Sequence, residues 1–119
     1  MFITLGAYAN ASNQVNVSGK WVGLNYASQV EGPSKVKLNL SQVGQNITGI
    51  YLASTGVAGK GKGSMTGNNT FHIDWVNTTK SCPGQYSNDY TINGDKIKWI
   101  FTGKDCLGKE TGHGHAKRE

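Results

Sequence analysis

The sequence predicts an all-β chain of eight antiparallel strands, running up and down as a meander and closing into a barrel. Three observations point there. Short runs rich in Val, Ile, Thr, Tyr and Trp alternate with polar residues and are separated by Gly and Asn. No window of helical length keeps a 3.6-residue apolar period. Eight strands without a covering helix would expose two sheet edges, unless the last strand pairs with the first. A two-sheet sandwich is the alternative, but it calls for a long crossover connection, and none is visible.

The first predicted strand is Lys20–Ala27, opened by Trp21. Strands 2 and 3, Lys35–Ser41 and Asn46–Ala53, form the clearest hairpin. There Val36, Leu38 and Leu40 alternate with Lys37, Asn39 and Ser41 before a Gly44-Gln45 turn. Strand 4, Lys60–Thr66, is Gly-rich, with Lys60 and Lys62 outside. Strand 5, Thr70–Asn77, sends Phe71, Ile73 and Trp75 inward. Strands 6 and 7, Gly84–Ile92 and Lys96–Thr102, flank the Asn93-Gly94-Asp95 turn, and strand 8 is Lys109–Lys117. The connections 2–3, 4–5 and 6–7 are tight. The other four are Ser28–Ser34, Ser54–Gly59, Thr78–Pro83 and Gly103–Gly108, and all read as longer loops. In a meander, alternate loops share an end, so the longer loops form one rim.

The chain has 119 residues, 17 of them Gly and two Pro, and a formal charge of +5. That length suits one domain. The lysines are spread along the strands, which reads as a solvated exterior and excludes a nucleic-acid surface from the expectation. No segment approaches the roughly 20 apolar residues of a membrane helix, so no membrane partner is expected. Residues 1–11 contain a brief apolar run, Phe2–Ala7, and a small-x-small pattern at Ala9-Asn10-Ala11. They read as the remnant of an export signal, with residues 12–119 forming a single barrel domain that is secreted or periplasmic. Cys82 and Cys106 fall on the same rim and fit no zinc spacing, so they are expected to form a disulfide.

Period-two alternation assigns the lining. It places Trp21, Asn25, Tyr51, Trp75, Tyr86, Asn88 and Trp99 inside, with inward glycines opposite the large rings. Simple packing explains the aliphatic members. Asn25, Asn88 and the Tyr hydroxyls need partners, and a pocket with orienting polar groups supplies a reason for them. These seven residues are the candidate ligand-binding set.

Four local patterns make the chain resemble the avidin and streptavidin family. They are Gly19-Lys20-Trp21; Thr48-Gly49-Ile50-Tyr51; Trp75-Val76-Asn77 followed by Gly84-Gln85-Tyr86; and Ile97-Lys98-Trp99. The opening G-x-W is shared with lipocalins. The resemblance spans most of Gly19 to Lys117 and implies a calycin-type barrel with Tyr51, Trp75 and Trp99 at pocket positions. The polar anchors that hold biotin in that family fall at Gly23, Ala53 and Gly114 here, so the resemblance implies the barrel without the biotin site.

Other chemistries find little support. His113 and His115 share an outward face without further metal ligands, so no metal is expected. His72 and Asp74 form the best catalytic pair but lack a cleft, so no catalytic residue is assigned and an enzyme is not expected. No cofactor is expected. The expected function is a non-enzymatic, exported barrel binding a small hydrophobic or aromatic molecule. A lectin-like or inhibitor-type module acting through the long-loop rim is the alternative. A homo-oligomer remains open.

Overall fold

The computed structural model describes residues 15–119, so the expected export remnant lies outside the described residues. Eight strands follow in order: β1 (Gly19–Ala27), β2 (Ser34–Val43), β3 (Asn46–Ala53), β4 (Ala58–Met65), β5 (Thr70–Asn77), β6 (Gly84–Asn93), β7 (Lys96–Asp105) and β8 (Gly108–Arg118). Each pairs antiparallel with its sequence neighbours, and β8 pairs with β1 from Trp21↔Arg118 to Ala27↔Gly112. The barrel is therefore closed and leaves no sheet edge.

The expected topology is present, with one correction. The connection between β7 and β8 is the two-residue turn Cys106-Leu107, not a longer loop. The ladder continues past Thr102 through Gly103↔Glu110, Lys104↔Lys109 and Asp105↔Gly108. The Asp105 carboxylate tightens this turn by accepting from the Leu107 N–H at 2.8 Å. Three longer connections, Ser28–Pro33, Ser54–Val57 and Thr78–Pro83, share the rim with it.

The two ends of the barrel are filled differently. At the tight-turn end Val17 tucks beneath the strands, its N–H donating to Gln42 Oε1 at 2.8 Å. Its carbonyl accepts from Trp21 Nε1 at 3.0 Å. Trp21, Ile47, Phe71, Ile92 and Ile97 pack there and are essentially inaccessible. Arg118 seals this end. Its guanidinium lies 4.3 Å from the Trp21 ring centroid and donates to the Ser18 carbonyl at 2.7 Å and to Asp95 Oδ1 at 3.1 Å. A cation over an indole face combined with carbonyl hydrogen bonds joins the last strand to the first.

Inward glycines make room for the rings. A Cβ on Gly114 would collide with the Trp99 indole, and one on Gly61 would lie 2.6 Å from Trp75 Cε3. Both indoles therefore lie against backbone where any side chain would push them into the interior.

Cys82 and Cys106 are disulfide-bonded with Cα atoms 4.8 Å apart, tying the β5–β6 loop to the β7–β8 turn. Their separation of 24 residues makes the loop-closure contribution about 3–3.5 kcal/mol. The variant with both cysteines replaced by Ser is expected to keep the barrel but lose about 3 kcal/mol in urea unfolding. A loss below about 1 kcal/mol would mean that the bridge constrains little.

Candidate ligand cavity

Above the packed end, under the longer loops, the barrel holds a cavity of about 300 Å³. Trp75 from β5, Trp99 and Phe101 from β7, and Leu38 from β2 form its apolar wall. Asn25, Tyr51, Tyr86, Asn88 and Tyr90 supply polar groups, and Asp105 and Glu110 lie at the rim side. Among the described residues no Lys, Arg or His lines it.

The polar groups of the wall are largely organised among themselves. Trp75 Nε1 donates to Tyr90 Oη at 2.9 Å, and Asn88 Nδ2 donates to the same oxygen at 3.3 Å. Trp99 Nε1 donates to Asn25 Oδ1 at 2.9 Å, which links β7 to β1. Tyr86 Oη donates to Asp105 Oδ2 at 2.6 Å. Tyr51 meets Trp75 edge-on, with centroids 5.2 Å apart. These bonds fix both indoles in place, so the wall is preorganised.

Two buried atoms stand apart from this network. Tyr51 Oη and Asn88 Oδ1 have no hydrogen-bond partner among the described residues. Asn88 is only 8% exposed. An unpaired buried polar group costs about 1–3 kcal/mol, so both atoms are poor choices for a merely structural interior. Burial first, and then the charge of Asp105, pushes the Tyr51 hydroxyl up to about 12. Tyr86 is likewise raised, mainly by burial and then by its bond to Asp105. Both phenols stay protonated at neutral pH and can donate.

Six of the seven residues expected from alternation share this cavity: Asn25, Tyr51, Trp75, Tyr86, Asn88 and Trp99. Trp21 does not belong with them. It faces inward as expected, but it lies at the packed end beneath Arg118, bonded to Val17. Asp105 and Glu110 are the residues that sequence reasoning missed. Trp99, Phe101, Gly103 and Asp105 keep period two along β7, and Gly112 steps back to Glu110 along β8. For Asp105 the signal was lost because strand 7 was ended at Thr102, whereas Glu110 lay inside the expected strand 8 and was read only as a strand-end acid.

Glu110 is 2% exposed. Its Oε1 accepts from the Gln29 N–H at 3.0 Å and the Ser28 hydroxyl at 3.5 Å, pinning the β1–β2 loop to β8. Burial raises its pKa most, the Gln29 hydrogen bond opposes that, and the neighbouring Asp105 carboxyl raises it further. Asp105, Cys82 and Cys106 bring their ligand atoms within 4.8 Å of one another. Both sulfurs are held in the disulfide, so this cluster offers no thiolate to a metal.

On the outer wall, His72 is bracketed by two carboxylates. Nδ1 lies 2.7 Å from Asp89 Oδ1 and Nε2 lies 2.8 Å from Asp74 Oδ1, with Ser87 Oγ 3.2 Å from Nε2. The order Asp89–His72–Ser87 mimics a nucleophilic triad. Asp74, however, faces the nitrogen that would have to accept the Ser87 proton. A ring donating from both nitrogens is an imidazolium and has no lone pair for that step. The cluster therefore works as a cross-strand ion network joining β5 to β6.

No protein-family model and no curated protein matches the sequence. Among solved structures, the chain is similar to a de novo designed fluorescence-activating β-barrel. The TM-score is 0.64 at 15% identity, over 87% of this chain and 94% of that one. At that identity the likeness shows the fold.

The outer network carries a pH prediction. The Asp89 hydrogen bond, followed by weaker contributions from Asp74, raises the His72 pKa above 6.5 against the opposing effect of burial. A raised histidine pKa stabilises the fold fully below the unfolded value, and that contribution is lost as pH rises through the folded value. The melting-temperature advantage of the wild type over Asp74→Asn/Asp89→Asn should be largest below pH 6.5 and shrink above the His72 titration, followed by NMR. An advantage that grows with pH would contradict this arrangement.

Proposed function

We propose that this chain is a non-enzymatic, exported β-barrel that binds a small, largely apolar or aromatic molecule in the cavity beneath its longer-loop rim. One observation carries the reading: two buried polar atoms, Tyr51 Oη and Asn88 Oδ1, on residues that line the cavity, lack hydrogen-bond partners among the described residues. A packed core has no use for them, whereas a ligand with matching groups pairs both. The wall is preorganised by the Trp75–Tyr90 and Trp99–Asn25 bonds, which lowers the ordering cost of binding. The disulfide supports maturation in an oxidising compartment. The fluorescence-activating description of the designed barrel supports a binding role for a barrel of this shape.

The resemblance to avidins fits the same reading with a different ligand. Gly23 crosses directly over Ala116, Gly114 lies under the Trp99 ring, and Ala53 offers the cavity only a methyl group. Biotin is expected to bind no tighter than micromolar, and calorimetry showing nanomolar affinity would overturn that expectation.

Tryptophol, a neutral aromatic alcohol, should bind saturably at one site by calorimetry. Ala53→Trp, which fills the cavity from its wall, should abolish binding without lowering the melting temperature. Trp99→Ala should weaken binding and cost about 3 kcal/mol, the low end for a buried Trp, because one face of the ring already borders open space. Failure of tryptophol to saturate, or saturation undiminished in Ala53→Trp, would contradict the proposed site.

A further inference from the structure

The chain carries a net charge of +5, yet among the described residues its cavity is lined by two carboxyl groups and no cationic side chain. Lysines near the rim, Lys35, Lys104 and Lys109, are exposed and lie outside the lining. The local field of the cavity thus opposes the field of the molecule as a whole. At contact distance inside a partly dehydrated site, the local groups dominate, because remote exposed charges are screened within about 8–10 Å.

The two carboxyl groups are arranged differently from a surface acidic cluster. Asp105 is oriented by Tyr86 Oη and by the Leu107 N–H. Glu110 is buried, and both of its loop contacts end on Oε1. Its carboxyl lies beside that of Asp105. The second, independent observation is Asn88 Oδ1, a buried acceptor in the same cavity without a partner. Glu110 pairs with Gly103, and Asn88 pairs with Phe101. Those partners are two residues apart on β7, so the carboxyl level and the Asn88 level lie about 7 Å apart along the strand. Trp75, Trp99 and Phe101 line the same cavity.

We infer that the cavity takes an amphipathic organic cation: a flat aromatic body bearing an N–H for Asn88 Oδ1, and an ammonium group for Asp105 and Glu110. This inference rests on the small-molecule reading above and specifies the ligand's class. The aromatic body replaces solvent against the indole walls. The ammonium is held by charge-assisted hydrogen bonds, while Tyr51 Oη remains available to a ligand acceptor. An arylalkylamine of indole size has its two nitrogen groups at about the required separation.

The test compares tryptamine, tryptophol and indole-3-acetate, which share one body and carry a cation, a neutral hydroxyl and an anion. Calorimetry at neutral pH is expected to show tryptamine binding about tenfold tighter than tryptophol, because one charge-assisted contact is worth roughly that factor. Indole-3-acetate should be the weakest. In Asp105→Asn/Glu110→Gln, which keeps acceptor oxygens for Tyr86 and Gln29, the preference for tryptamine over tryptophol should fall to within about twofold. Glu110→Gln alone should give a partial loss. If indole-3-acetate equals or exceeds tryptamine, as the net charge alone would produce, the cation assignment is overturned and the pocket stands. A tryptamine preference that survives in the double variant overturns the assignment as well. If none of the three probes saturates, both the pocket and the cation assignment fall. Should the double variant not fold, the wild-type order of the three probes decides the matter.

Discussion

The β1–β8 ladder, sealed where Arg118 lies over Trp21, is the interaction on which the rest of this structure depends. Without it the meander is an open sheet with two edges and no interior. With it, strand number sets the interior width, and side chains decide how much of that space is filled. Arg118 joins the final strand to Trp21, to the Ser18 carbonyl and to the β6–β7 turn through Asp95. It ties the segment before β1 and the end of β8 to one end of the barrel. That leaves the other end to the longer loops.

From this closure follows a division of labour along the barrel axis. The Trp21 end is dense, with Val17, Phe71, Ile47 and Ile97 filling it. The Trp75–Trp99 end is walled but not filled. Glycines opposite the two indoles let the rings lie against backbone, so that width is kept for something else. Indole N–H groups that could have faced a ligand are instead used inside the wall, on Tyr90 and Asn25. The polar groups of the cavity not used inside the wall are few: one phenol, one amide oxygen and two neighbouring carboxyls. Specificity in such a site rests on pairing each of them, because a ligand that leaves one buried group unpaired forfeits affinity.

Much of this was legible in the sequence, for reasons that can be named. Alternation such as Val36, Leu38 and Leu40 against Lys37, Asn39 and Ser41 reports which face is wet, and it placed Ile47 and Tyr51 of β3 and Phe71, Ile73 and Trp75 of β5 inside as well. Turn chemistry at Gly44 and Gly94 separated neighbouring strands. The position of Trp21 along the axis was not legible, because period two distinguishes inside from outside but not one end from the other. That distinction depends on Val17 docking from upstream and Arg118 arriving from the far end of the chain. Asp105 was missed because Gly103, Lys104, Asp105 and Cys106 have loop composition, whereas the β7–β8 ladder runs straight through the first three of them; Glu110 lay within the expected strand but at its start, where a carboxylate reads as solvated. Tertiary pairing overrode local propensity at that point.

The three tryptophans offer a direct readout of this half-filled barrel. Each indole N–H gives its own NMR signal, and the structure places Trp75 and Trp99 on the cavity wall and Trp21 in the packed end. Titrating isotope-labelled protein with a bound aromatic probe should shift the Trp75 and Trp99 indole signals while leaving Trp21 in place. Shifts of Trp21 equal to those of the other two, or saturation with no indole shift, would contradict a cavity confined to the long-loop end.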